Sequence, residues 1–237
     1  MKRNIFAIGL RDGIPIALGY LAVSFSFGIA AVAAGLTPIE AILISMTNLT
    51  SAGQFAGIGI ITSGGSYFEL ALSQFIINLR YSLMGISLSQ KLDTSFSPPK
   101  RAVLGHTLTD EIFAVSVSRT KPVTPIYFFG LALLPYIGWS LGTGAGAFFG
   151  ELLSASLRDA LSVAIYGMFI AIIIPEVKKN KNTAGIVFLA IAISCVLYYV
   201  PVFDFISGGF ATIICAVIAS AIGALLFPVT EDNTNAR

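Results

Sequence analysis

Polar side chains gather in one part of an otherwise apolar sequence, and their types suit recognition of a zwitterion better than bond-making. Asn48, Ser51 and Gln54 come first, within Asn48-Leu49-Thr50-Ser51-Ala52-Gly53-Gln54-Phe55, and after an apolar run come Gln74, Asn78, Arg80 and Tyr81. A carboxylate needs cationic or amide donors. The Arg80 guanidinium can offer it a fork, with Asn78, Asn48, Gln54 and Ser51 orienting the rest. An ammonium needs carbonyl or amide acceptors, and broken helix ends expose those. Lipid offers such groups no partner, so in a membrane they mark a pathway or pair with one another.

Catalytic chemistry finds no matching pattern. A single histidine cannot build a zinc site of the H-E-x-x-H kind, and Gly142-Thr143-Gly144-Ala145-Gly146 lacks the lysine of a phosphate loop. Asp110 and Glu111 are adjacent, which on a helix points them about 100° apart and not at one substrate. No catalytic residue, metal or cofactor is expected. His106, Asp110 and Glu111 are instead candidates for coupling solute movement to protons.

These side chains are carried by 237 residues of which 56% are hydrophobic and 11% charged, with mean hydropathy +0.87. That balance excludes an ordinary soluble domain. Charge-free windows at 13–39, 41–68, 122–150, 160–175, 182–203 and 205–230 mostly reach the roughly 20 residues a crossing helix needs. The expected fold is all-α: one multi-pass membrane domain over residues 1–237 with seven or eight transmembrane segments, some broken or re-entrant. A net charge of +2, placed mainly at segment ends, sets orientation and excludes nucleic acid as a partner. Cys195 and Cys215 fall in apolar windows as small packing residues. Asn4 to Leu10 is too short for a signal-peptide core.

The first crossing is expected at about Gly13 to Gly35. Thr37-Pro38-Ile39-Glu40 then forms a capping box that starts a second helix, which the glycines and hydroxyls from Asn48 to Gly59 break or bend. A third segment, about Tyr67 to Gln90, puts Gln74, Asn78 and Tyr81 on one face, toward the bundle interior. An exposed loop follows at 91–101. Ala102 to Ser118 reads as a short, buried or re-entrant helix. Gly138, Gly142, Gly146 and Gly150 form three GxxxG steps that demand close approach of a neighbouring helix, with Trp139 beside them in the core.

The last crossings are expected at 160–175, 183–200 and 205–227. Lys178, Lys179 and Lys181 mark a cytoplasmic loop, and both termini then lie in the cytoplasm. A simple count of eight crossings leaves Lys91, Lys100 and Arg101 outside, against the charge rule, whereas seven crossings and one partial segment remove the conflict. Residues 13–61 and 124–175 also echo one another as an internal repeat: a long small-residue helix, a short acidic loop and a second helix.

Ala52-Gly53-Gln54-Phe55, Asn78-Leu79-Arg80-Tyr81-Ser82-Leu83-Met84-Gly85 and Leu108-Thr109-Asp110-Glu111-Ile112-Phe113-Ala114 resemble the successive motifs of the AzlC family. The likeness runs from Arg11-Asp12-Gly13-Ile14-Pro15 through the Trp139 and Gly142-Thr143 region. Two departures fall among the candidate site residues, Gly53 where the family has serine and Tyr81 where it has histidine. The resemblance implies a cell-membrane permease that exports branched-chain amino acids together with a small AzlD-like membrane subunit. Two other functions stay open on the residues alone: a non-transporting assembly or regulatory subunit, and a channel for small neutral solutes. Arg80 paired with Asp110 or Glu111, and Asn48, Ser51 and Gln54 as interhelical hydrogen-bond glue, are the structural alternatives to substrate contact.

Overall fold

The computed structural model describes residues 4–154 and 177–227, together with 156, 170, 173 and 174. The protein is an all-α membrane protein. The crossing expected at 160–175 and most of the second half of the 124–175 echo lie outside the described residues.

Helix α1 (Ile5–Ala33) starts where the Asn4 carboxamide oxygen accepts from the Phe6 N–H at 3.1 Å. It begins before the expected Gly13, so Arg11 and Asp12 lie inside it. Its 29 residues reach about 43 Å, more than the roughly 30 Å of hydrocarbon, so these charges can sit at headgroup level. Helix α2 (Pro38–Thr47) opens on the expected capping box: Thr37 Oγ1 accepts from the Glu40 N–H at 3.2 Å, and Glu40 accepts from the Thr37 N–H at 2.7 Å. The expected break follows at 48–50. Thr50 then accepts from the Gly53 N–H at 3.4 Å and starts α3 (Ser51–Thr62).

A turn with Gly64 at φ +72°, a conformation glycine adopts without steric cost, leads to α4 (Tyr67–Ser89). The expected loop at 91–101 is shorter. Pro98 and Pro99 open α5 (Pro98–Thr107), because a first turn does not use the N–H that proline lacks. The segment expected at 102–118 is thus part of two helices, α5 and α6 (Asp110–Val117), the second capped by Thr109. Helix α7 (Pro125–Phe149) precedes a single 3-10 turn at Gly150–Leu152. Helices α8 (Lys181–Tyr199) and α9 (Gly208–Leu226) are joined through a second 3-10 turn, Pro201–Phe203. Among the described residues α1, α7, α8 and α9 are long and apolar enough to cross a membrane.

The chain forms two compact units, residues 1–58 with 77–165, and residues 59–76 with 166–237. In the first, α1 and α7 run parallel with their backbones in contact. A Cβ on Gly138 would stand 2.8 Å from the Ala17 carbonyl oxygen, and Gly142, Gly146 and Gly150 meet Leu21, Phe25 and Ile29 in turn. Gly9, Gly13 and Gly28 do the same from α1 against Tyr127, Leu131 and Thr143. The glycine ladder is therefore a seam within this chain.

Three apolar clusters give this unit its levels. At the end where α1 and α7 begin, Leu88, Phe96, Leu104, Ile112, Val123 and Tyr127 pack together. Tyr20, Leu49 and Trp139 form a middle layer, and Phe27, Ala31, Ala41, Ile58 and Ala147 close the other end. Helix α2 thus descends from the far end to the middle, and α3 returns. Helices α5 and α6 mirror them: α5 rises from the starting end until His106 reaches Met46, and α6 comes back until the carbonyl of Val117 accepts from Lys91. Two half-helix pairs turn back at mid-depth where one partial segment was expected. A ten-residue half-helix is about 15 Å long, half the hydrocarbon thickness.

In the second unit α8 and α9 pair antiparallel, Ile186 against Gly223 and the Ala190 carbonyl against Cys215 Sγ at 3.2 Å. Cys215 packs as expected, whereas Cys195 is exposed. The buried Glu69 carboxylate accepts from Ser207, the cap of α9.

Candidate substrate site at two helix breaks

Both returning half-helices begin at mid-depth with a buried threonine, Thr50 for α3 and Thr109 for α6. Their first turns direct backbone N–H groups and positive dipole ends toward the middle of the unit. The outgoing half-helices bring the opposite polarity. At the end of α2 the Met46 carbonyl accepts from Tyr136 Oη at 3.1 Å and from His106 Nε2 at 3.0 Å, and since a carbonyl only accepts, Nε2 carries the proton.

Around these breaks stand the charged groups. Arg80 Nη1 lies 2.8 Å from Asp110 Oδ2, with both side chains nearly half exposed at 47% and 46%. Arg80 Nη2 also donates to Tyr81 Oη at 3.2 Å, and the Tyr81 hydroxyl bonds to the Thr50 side chain. Glu111 turns the other way, as adjacent helical residues must, and accepts from the Tyr20 hydroxyl. Tyr20 in turn stacks edge-on against Trp139 with ring centroids 5.1 Å apart. Glu111 and His106 are exposed.

Of the residues singled out in the sequence, Arg80, Tyr81, His106, Asp110 and Glu111 come together with the two breaks. Asn48 caps α2, its N–H donating to the Ile44 carbonyl at 2.8 Å, and Ser51 opens α3 with its hydroxyl buried and unpartnered. Asn78 is half-buried on the same face of α4 as Tyr81. Gln74 is on the part of α4 that belongs to the second unit.

Gln54 is engaged elsewhere. It is 1% exposed, donates from Nε2 to Ser45 Oγ at 3.0 Å and accepts from Trp139 Nε1 at 3.0 Å, while Ser45 and Thr143 share a 2.6 Å hydrogen bond. This closed network is the hydrogen-bond glue anticipated as the structural alternative. Sequence reading missed Tyr20, Ser45, Thr109, Tyr136 and Thr143. Only Thr109 carried a local signal, a helix cap ahead of Asp110 and Glu111. Among the described residues no three His, Cys, Asp or Glu side chains gather as a metal site requires.

A family profile described as AzlC protein matches residues 15–153, the span that holds both breaks and the α1–α7 seam. The chain belongs to the AzlC family. This AzlC chain is 26% identical to "Inner membrane protein YgaZ" of Escherichia coli, over 92% of its own length and 91% of that protein. An uncharacterized membrane protein of Archaeoglobus fulgidus is 31% identical over 81% and 85% of the two chains. "Branched-chain amino acid transport protein AzlC" of Bacillus subtilis is 21% identical over 78% and 74%. No solved structure matches this AzlC chain. The resemblance read from the short motifs is borne out, and so is the membrane location. The family is associated with transport and not with catalysis.

Proposed function

We propose that this chain is the large subunit of a transporter that exports branched-chain amino acids across the cytoplasmic membrane, acting as one domain over residues 1–237 with a small AzlD-like membrane subunit. The observation that carries this is the meeting of two half-helix pairs at one depth beside an accessible Arg80–Asp110 pair. A zwitterion needs opposite poles a few ångströms apart. Thr50, Thr109 and Arg80 offer donors to its carboxylate, and Asp110 offers acceptors to its ammonium. The name of the Bacillus subtilis relative supports the solute class.

The same geometry supports an orientation. With the Asn4 end of α1 cytoplasmic, α4 also ends in the cytoplasm, and Lys91, Lys100 and Arg101 satisfy the positive-inside rule. Both re-entrant pairs then enter from opposite faces, an inverted arrangement of the kind transporters use. Branched-chain amino acids carry no net charge, so driving their export requires an accompanying ion. Glu111, held by Tyr20, and Asp110, held by Arg80, are the proposed proton carriers, with His106 beside them.

The test is loss of valine, leucine and isoleucine from cells preloaded with the corresponding dipeptides. The intact pair should shorten retention, and Arg80→Gln should abolish the gain at unchanged membrane expression. Equal retention in wild-type, variant and empty cells would return weight to an assembly subunit. Glu111→Gln should flatten the pH dependence of export; an unchanged pH profile in both Glu111→Gln and Asp110→Asn removes proton coupling through these groups.

A further inference from the structure

At the end of the first unit where α1 and α7 begin, well away from the helix breaks, lies an open depression of about 560 Å³ lined by Asp12, Ser118, Arg119, Thr120, Lys121 and Tyr127. We propose that this depression binds the phosphate of an anionic phospholipid headgroup.

Arg119 is the centre of the argument. Its guanidinium carbon lies 3.6 Å from the Tyr127 ring centroid, its side chain is 23% exposed, and its Nε–H is buried without an acceptor. Among the described residues the one carboxylate paired with it, Asp12, stands 4.0 Å from Nη1 and already accepts from Tyr127 Oη at 2.7 Å. The cation is therefore under-neutralised, with planar donors left over that match a phosphate fork. Lys121 adds a second charge from the exposed rim, and the Ser118 and Thr120 hydroxyls add neutral donors. Lys91 stands close by with its ammonium on the Val117 and Arg119 carbonyls.

Position chooses the source of the phosphate. The surplus length of α1 places Asp12 and this end of α7 at headgroup level, and exposed Ile5, about two turns from Asp12 on the same face of α1, and Ile126, beside Tyr127, give acyl chains an apolar wall. Basic hollows between helices at a membrane face hold anionic headgroups. A soluble oxyanion would gain nothing from the apolar wall.

The full chain in mild detergent is tested by thermal unfolding against phosphatidylglycerol, phosphatidylcholine and inorganic phosphate. Phosphatidylglycerol should raise the midpoint, and the other two should not. Lys121→Gln and Arg119→Gln should each raise the phosphatidylglycerol concentration for half-effect about fivefold, the worth of one basic residue at an anionic surface. Lys121 is exposed, so its variant carries the test if Arg119→Gln fails to fold. Equal response to phosphatidylcholine, or a Lys121→Gln/Thr120→Ala variant with wild-type half-effect, overturns the site. Protection by inorganic phosphate without protection by phosphatidylglycerol overturns the lipid source. The assay reads binding alone and stands apart from whether the chain exports amino acids.

Discussion

The α1–α7 seam and the junction of the half-helix pairs lie in the same unit and solve opposite problems. Along the seam, glycines at successive turns bring backbone against backbone, with the Ser24 hydroxyl, the Pro135 ring and the Ile29 side chain reaching in between, and no room is left for a bulkier residue. At the junction the helices stop short, and hydroxyls, carbonyls and charges gather around the breaks, with the Arg80–Asp110 pair half exposed. Glycine at every fourth position makes a fixed frame; threonine after a helix break makes a polar site. The contrast assigns rigidity to one region and, on the proposed function, solute contact to the other.

The largest effect should come from filling the seam. A side chain at Gly28 collides with the Thr143 carbonyl, and one at Gly146 with that of Phe25. Gly28→Leu should cost more than about 3 kcal/mol, the upper end of overpacking, and yield little folded protein by size-exclusion chromatography. Gly19→Leu and Gly85→Leu, where nothing lies within 4 Å, should fold normally. Equal folding of Gly28→Leu and Gly19→Leu would break the comparison at its base.

Next in size is the junction, where function should fail while the fold survives. Removing the charge in Arg80→Gln takes away a charge-assisted contact worth about 1.5–3 kcal/mol to a bound carboxylate, so export should fall roughly 10- to 100-fold. Stability should move by under about 1 kcal/mol, because the Arg80–Asp110 pair is half exposed and screened. An Arg80→Asp/Asp110→Arg exchange that restores full export would make the pair structural only.

Gln54 sharpens the boundary between the two regions. Gln54→Ala leaves Trp139 Nε1 and Ser45 Oγ buried without their partner, a loss of about 1–3 kcal/mol readable as a lower unfolding midpoint. Export per folded molecule should hold near wild type. If it collapses as in Arg80→Gln, Gln54 belongs with the site and not with the frame.

Gln54 also shows why the site was only partly legible in the sequence. An amide in an apolar run reads the same whether it meets a solute or a tryptophan 85 positions away. The capping box at Thr37, the break after Thr47 and the glycine ladder rest on local chemistry, and all three stand as read. A re-entrant segment is among the readings of 102–118, but the return of α3 could not be read, since a broken helix either crosses or turns back according to what it packs against. The pairing of Tyr20 with Glu111, 91 positions apart, is equally a product of tertiary structure.

The smallest effect lies outside both regions, in the loop that brings α4 to α5. The Ser95 hydroxyl and N–H donate to Asp93 Oδ1 at 2.5 and 2.9 Å, and these bonds hold the Asp93 carboxyl below its ordinary value. The Asp93 N–H donates to the Val123 carbonyl at 2.9 Å, so the ionised turn helps keep the start of α7 in register. A lowered folded-state value means the contribution is complete above the ordinary aspartate range and fades as pH falls through the lowered value. Ser95→Ala should therefore lower the unfolding midpoint slightly at pH 7, and the gap from wild type should narrow as pH falls through the lowered value. A gap that persists unchanged at acid pH would mean that Ser95 acts through packing. In that case the loop belongs with the frame, indifferent to charge like the glycine seam.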